Sequence, residues 1–350
     1  MTGRERILTA LNKEIPDRVP TMEWVLHPEV IRNMNGALSD IEFAVKAGLD
    51  GIAVSLDYTK EIIDNRHFKD EWGVTRVSYD DYPNPIINPI KTMEDFEKFK
   101  VPDPDAEYRF DKIKNALKQV GDEIAVVARV KDVISHPRDL MGFEDFLMAF
   151  YLDPELIESL MRMCIEHSTR IAENLVELGI EAIVIGDDIA NNTGLLMSPA
   201  MYREQVYPYF KELVSNFKKL GLLVIKHSDG DLRAILPELV ESGIDCLDPI
   251  DPLGNMDMDY MKKTYGSRIA LKGNVDCVET LVDKTVEQVK IETIQCILEG
   301  SIGGGHIISS SNSIHRGISP QNYQVFLDTV KEYGVYPIDE KRLREVVEKV

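Results

Sequence analysis

The chain has 350 residues, of which 44% are apolar and 29% charged, the composition of a folded globular protein long enough for one large core. Its formal net charge of −20 excludes electrostatic attraction to nucleic acid or to an anionic membrane surface, and no stretch approaches the length of a membrane span. The four cysteines, Cys164, Cys246, Cys277 and Cys296, form no close CxxC pair, so neither a disulfide framework nor a zinc knuckle is indicated and the cytoplasm is the expected compartment.

The opening residues lead into an amphipathic helix from Thr2 to Asn12 rather than a signal peptide. Pro16-Asp-Arg-Val-Pro20 stops it and feeds an extended segment, Thr21 to Val25. Ser39-Asp-Ile-Glu42 has the form of a capping box, and its helix ends at Gly48. A strand follows from Gly51 to Leu56. Residues from Glu71 to Pro89 read as a small inserted hairpin and loop: Trp72 to Tyr79 alternates like an exposed strand, and Pro83, Pro85 and Pro89 break what comes after. Helices are expected over Met93–Lys100 and Asp111–Val120.

From there one unit repeats. Strands are expected at Ile124–Val130, Glu181–Ile185, Leu222–Lys226, Ile244–Leu247, Ile269–Leu271 and His306–Ser309, most of them separated by helical patterns. With the first two extended segments these make eight strand candidates. Parallel βα units in that number favour a closed (β/α)8 TIM barrel, one α/β domain over residues 1–350 with an N-terminal helical and extended extension and the inserted hairpin. There is no GxGxxG helix start and no Walker-type GK[ST], so a nucleotide site is not expected.

In such a barrel the strand ends meet at one mouth. The most informative stretch is Val224-Ile-Lys-His-Ser-Asp-Gly-Asp231, where an apolar strand runs into His227 and Asp229. These two lie two residues apart, so in extended backbone they point the same way and can share a ligand or a proton. The plainer reading is a turn, with Asp231 capping the next helix. Other strand ends bring Asp57 and Tyr58, Arg129 to Asp132, Asp187 and Asp188, Asp248, Asn274 and Asp276, and the Ser309 to Asn312 loop. The set is rich in carboxylates and holds a histidine, which fits general acid–base work or a divalent metal held by histidine and carboxylate. Asp188 is favoured over Asp187 by alternation. Asp248 lies in proline-rich turn chemistry. His306 reads as a hydrogen-bonded core residue, while His136 and His315 stay open, and Trp24, His27 and Trp72 either line a pocket or pack.

Several stretches, in order along nearly the whole chain, carry a resemblance. They are Arg4-Glu-Arg-Ile-Leu-Thr-Ala-Leu-Asn12 with Pro16-Asp-Arg-Val-Pro20, Ser198-Pro199 with the tyrosine-rich helix after it, Lys226-His227, Leu271-Lys-Gly-Asn-Val-Asp276 and Gly303-Gly-Gly-His-Ile-Ile-Ser309. In these the chain resembles the uroporphyrinogen decarboxylase superfamily, which implies a (β/α)8 barrel. The true decarboxylases carry an N-terminal Arg-Gln-Ala-Gly-Arg motif that holds substrate carboxylates. Here that region reads Met22-Glu-Trp-Val-Leu-His-Pro28, so the arginine clamp is missing and a many-carboxylate porphyrinogen would meet an acidic mouth.

The other branch of the resemblance comprises corrinoid-dependent methyltransferases, some of which bind zinc through His-x-Cys and a later Cys. The matching positions here are His227, Asp229 and a place near Asn312, so a thiolate-rich site is not implied, although a harder His/Asp set can still hold zinc at His227 and Asp229. The His-Ser-Asp-Gly form is similar to the substrate-specific methyltransferases of anaerobic O-demethylase systems. Those pass a methyl group from an aryl methyl ether, of the guaiacol or vanillate type, to the cobalamin of a separate corrinoid protein. On this resemblance His227 and Asp229 are the acid or metal pair and Asp188 completes it. Asp57, Trp24, Asp248, Asn274 and His315 are the expected substrate-binding residues. The partners implied are a corrinoid carrier protein and a small methyl donor, with a homodimer left open. Two alternatives remain: a lyase decarboxylating a small pyrrole or aryl acid with Asp57 as its electrostatic group, and a non-catalytic protein that docks a corrinoid carrier.

Overall fold

The computed structural model describes residues 1–36, 38–79, 82–186 and 188–348. Eight parallel strands follow one another around a (β/α)8 barrel: β1 (Met22–Glu23), β2 (Gly51–Ser55), β3 (Ala125–Lys131), β4 (Ala182–Gly186), β5 (Leu223–His227), β6 (Cys246–Asp248), β7 (Ala270–Lys272) and β8 (His306–Ile307). Each pairs in parallel with the next, and the Thr21–Ile308 bridge brings the ends of the sheet together. The strands lie within one or two residues of their expected positions.

Alternation along the strands sorts the residues into two cores. Met22, Ala53, Ala125, Val127, Ala182, Val184, Ile225, Cys246, Ala270 and Ile307 fill the barrel interior. The intervening residues, such as Val126, Ile183, Val224 and Leu271, pack outward against the helices. The N-terminal helix Gly3–Leu11, closed at its start by a Thr2–Glu5 capping box, places Ile7, Ala10 and Leu11 against the interior cluster. Its apolar face therefore serves as the floor of the barrel. The helix Asp40–Ala47 begins at the expected Ser39–Glu42 capping box and ends at Gly48, whose φ of 76° is readily adopted by glycine.

The insertion is larger than the hairpin read from the sequence. It is a four-stranded antiparallel sheet formed by Lys60–Ile62, His67–Asp70, Thr75–Tyr79 and Tyr82–Ile87. Its first two strands are short and largely polar, so they carry little alternation to recognise. Among the described residues no helix is long and apolar enough to cross a membrane.

Candidate functional site

The barrel interior changes character two residues beyond its apolar layer. The next inward positions are Trp24 after Met22, Ser55 after Ala53 and Arg129 after Val127; Gly186 after Val184, His227 after Ile225 and Asp248 after Cys246; and Lys272 after Ala270. The same side of the sheet that buries methyl groups below thus presents polar groups at the carboxyl ends of its strands, where barrels hold their chemistry. A cavity of about 540 Å³ opens there, within the range of small-molecule sites.

His227 is 5% exposed and ends β5. Its Nδ1 lies 2.8 Å from Asp248 Oδ2, and Asp248 Oδ1 accepts a hydrogen bond from Lys272 Nζ at 2.7 Å. Burial by itself raises the Asp248 carboxyl, but the charges and hydrogen bonds of Lys272 and His227 outweigh it and hold the group down at about 2. Asp248 is therefore a carboxylate that receives Nδ1–H and turns Nε2 toward the cavity, as histidines backed by a carboxylate do in metal and acid–base sites. The His227 ring is also pinned by stacking on Trp24, with centroids 4.0 Å apart and planes at 7°.

Three ligand-bearing side chains converge at the exposed end of this histidine. Asp188, His227 and Asp229 each offer one atom within 4.8 Å of the others. His227 Nε2 lies 3.7 Å from Asp229 Oδ1, and the Asp229 N–H donates to Asp188 Oδ1 at 3.0 Å. Asp229 Oδ2 receives a hydrogen bond from Asn312 Nδ2, whereas Oδ1 is buried with no hydrogen-bond partner. Burial, opposed by His227 but reinforced by Asp188, Asp251 and Asp248, pushes the Asp229 carboxyl up to about 7. An orphaned carboxylate oxygen beside an imidazole nitrogen and a second carboxylate is a donor set that fits a divalent ion, and equally a proton shared near neutral pH.

Other expected residues fall in different places. Trp24 and Asp57 line the cavity, but Asp57 is engaged by the backbone and ammonium of Lys112, at 3.0 and 2.9 Å. Asp248 does not shape the pocket; at 1% exposure it stands behind His227, because its inward position on β6 is sealed by Lys272. Asn274 is turned away, donating to the Ile250 carbonyl at 2.8 Å, and His315 bonds the Cys277 carbonyl at 2.9 Å. Neither lines the cavity. Asp187 lies outside the described residues. His306 is the core histidine it was read to be, fully buried between Ser301 and the Gly273 carbonyl and lowered by burial to about 3.

The expected acidic mouth is mixed in charge. Arg76, Arg109, Arg129 and Lys131 line the cavity beneath the inserted sheet. Arg76 is matched by Asp70 and Asp139, and Arg109 by Glu71, while the Arg129 guanidinium lies 4.6 Å from the Trp24 ring centroid and bonds the Trp24 carbonyl. A whole-chain charge does not report such local grouping. Trp72 and His136 also face the cavity, stacked with centroids 3.7 Å apart; burial, then the Lys131 charge, keeps His136 neutral well below its ordinary range. Lys272 and Asn312 are the polar neighbours that spacing alone could not pair with Asp248 and Asp229, although the alternation Ala270–Lys272 was a usable signal.

Comparison with known proteins agrees with this architecture. The family model described as "Uroporphyrinogen decarboxylase (URO-D)" matches residues 2–333. A uroporphyrinogen decarboxylase of Chlorobium chlorochromatii is 24% identical over 263 residues, 71% of each chain. The methylcobamide:CoM methyltransferase MtaA of Methanosarcina barkeri is 25% identical over 190 residues, 54% of each chain. Among solved structures, a methyltransferase from Methanosarcina mazei superposes with a TM-score of 0.76 at 22% identity, covering 95% of this chain and 99% of that one, which establishes the shared fold.

Proposed function

We propose that this chain, which belongs to the uroporphyrinogen decarboxylase family, is a methyltransferase that takes a methyl group from an aryl methyl ether and passes it to the cob(I)alamin of a separate corrinoid protein. The observation that carries this reading is the Asp188, His227 and Asp229 group at the barrel mouth, backed by Asp248 and Lys272. Transfer breaks the bond between the methyl carbon and the ether oxygen. The methyl carbon is taken by the cobalt nucleophile's electron pair, and the oxygen departs with the pair of the broken bond and gains one proton. An ether oxygen leaves poorly unless a proton or a positive charge meets it.

Asp229, raised to about 7, retains a proton near neutral pH and is placed to deliver it. His227, oriented by Asp248, directs Nε2 at the same point, and Asp188 fixes the backbone that carries Asp229. Asp188, His227 and Asp229 are also the residues that would hold a divalent ion such as zinc, which when bound supplies Lewis-acid polarisation of the departing oxygen. Oxygen and nitrogen donors in place of thiolates count against activation of a thiol acceptor. Support for a corrinoid partner comes from relatives named as methylcobamide:CoM and methylated-thiol–coenzyme M methyltransferases. The decarboxylase alternative is weakened at Asp57, whose charge is already met by Lys112.

The test is anaerobic mixing of the protein with cob(I)alamin, free and on a carrier protein, with methoxylated aromatics, methylamines and methanol. Conversion to methylcobalamin with the aryl ethers alone is the expected result. Absence of conversion on a carrier shown to be competent, with carbon dioxide released from an aryl or pyrrole acid, would overturn it in favour of the lyase.

A further inference from the structure

We propose that the cavity selects a methyl donor bearing a carboxylate, read by Lys131 on the cavity wall two strands from His227; the inference deepens the methyltransferase reading and rests on it. Four inward positions on β3 follow one another at a period of two: Ala125 and Val127 lie in the barrel interior, and Arg129 and Lys131 line the cavity above them. Lys131 pairs in register with Gly186 on β4, and Gly186 with His227 on β5. The lysine and histidine backbones are therefore two strand spacings apart, about 10 Å. Gly186 contributes no side chain between them. A Cβ at that position would meet Trp24 Cη2 at 3.2 Å, so the glycine leaves room for the indole. The cavity that Lys131 and His227 both line has a volume of about 540 Å³, enough for one aromatic ring with its substituents.

Lys131 also differs from the other cations of the cavity. Arg76 and Arg109 face carboxylates, and Arg129 bonds the Trp24 carbonyl. Among the described residues the Lys131 ammonium has no ion-pair or hydrogen-bond partner, and the residue is exposed. In a chain of net charge −20 the long-range field opposes an anionic substrate, so an anion needs a local cation to be held. An inward-facing ammonium two strands from the acid or metal group supplies one. It also disfavours cationic donors such as methylamines. The donor is thereby oriented: its carboxylate sits at Lys131 and its methoxy group at His227 and Asp229.

The experiment is a direct binding titration read by intrinsic fluorescence, because the chain has two tryptophans, Trp24 and Trp72, and both line the cavity. The probes are 4-hydroxy-3-methoxybenzoate and its neutral counterpart 2-methoxyphenol, with no corrinoid present. The wild-type protein is expected to bind the acid at least about tenfold more tightly, the scale of one charge-assisted contact. Lys131→Met no longer distinguishes the two, and Lys131→Arg keeps the preference. Equal affinities in the wild type, a preference that survives Lys131→Met, or no binding of either probe would overturn the proposal. With a corrinoid carrier added, Lys131→Met raises KM for the acid with kcat changed less than about threefold. Acid-selective binding without methyl transfer would remove the methyltransferase reading and leave the anion site. Methyl transfer from both ethers with no acid preference would do the reverse.

Discussion

Two lysine–aspartate pairs are buried in the wall of this barrel with the same chemistry and different consequences. Lys226 and Asp132 meet at 2.7 Å on the helix side of the sheet, and Lys272 and Asp248 meet at 2.7 Å on its inner side; all four residues are 1% exposed. Around the first pair, Asp132 accepts from the N–H groups of Ile134 and Ser135, the Ser135 hydroxyl meets the Gly186 carbonyl at 2.8 Å, and the ammonium of Lys226 lies 5.7 Å from the Phe210 ring centroid. The second pair is joined directly to the ring of His227, and through it to Asp229 and the cavity. A buried ion pair is thus not by itself a sign of catalysis. The group attached to its far side, and the face of the sheet it occupies, decide what it does.

Substitutions separate the two pairs most sharply at His227. His227→Ala is expected to lower methyl transfer by about 10³-fold, the scale of a lost acid–base group, while thermal unfolding shifts little. A variant that keeps the wild-type rate would break the functional half of the comparison. On the other face, Lys226→Met should lower unfolding free energy by about 3 kcal/mol in a urea titration, because it leaves Asp132 buried without its cation, and should leave the rate of the remaining folded protein nearly unchanged. Asp248→Asn belongs to both groups. It is expected to reduce affinity for zinc by about 10- to 100-fold, measured calorimetrically, and also to destabilise the fold by stranding Lys272.

Proton linkage gives a finer test. Asp229 is raised from its ordinary value to about 7, so between the two values the metal-free folded state binds more protons than the unfolded state. Its contribution to stability declines as pH rises through that window and is level above it. Asp229→Asn should flatten this slope, raise the melting temperature of the metal-free protein above pH 7, and abolish a fall in methyl-transfer rate as pH rises past about 7. His306 has the opposite sign. Lowered to about 3, it stays neutral when folded while the unfolded histidine takes a proton below about 6.5, so stability falls as pH drops, by roughly 1.4 kcal/mol per unit until about 3. His306→Gln should remove that share of the acid sensitivity.

Much of the fold was legible because its signals are local. The capping box at Ser39, the Ser198 helix start and the repeated apolar runs need only a few neighbouring residues to be recognised. The juxtaposition of His227 with Asp229 follows from strand alternation, and the cavity position of Trp24 from its place two residues beyond Met22. Asn274 and His315 illustrate the limit: both sit near the mouth in sequence order, yet each is turned to a backbone carbonyl. The inserted sheet was underestimated because short polar strands carry almost no alternation, and the acidic net charge did not report the cations that line the cavity among its carboxylates.

The amino-acid sequence by itself determined the eight-fold strand and helix succession, the burial of its apolar positions and the family to which the chain belongs. Those properties depend on hydrophobic period and local capping. The tertiary structure alone decided that Asp248 serves as the partner of His227, that Asn312 meets Asp229 across 83 positions of chain, and that Lys131 stands across Gly186 from His227. These relations depend on the register of closure: which inward side chains share a level of the barrel is set by how neighbouring strands are staggered, and no single segment contains that information.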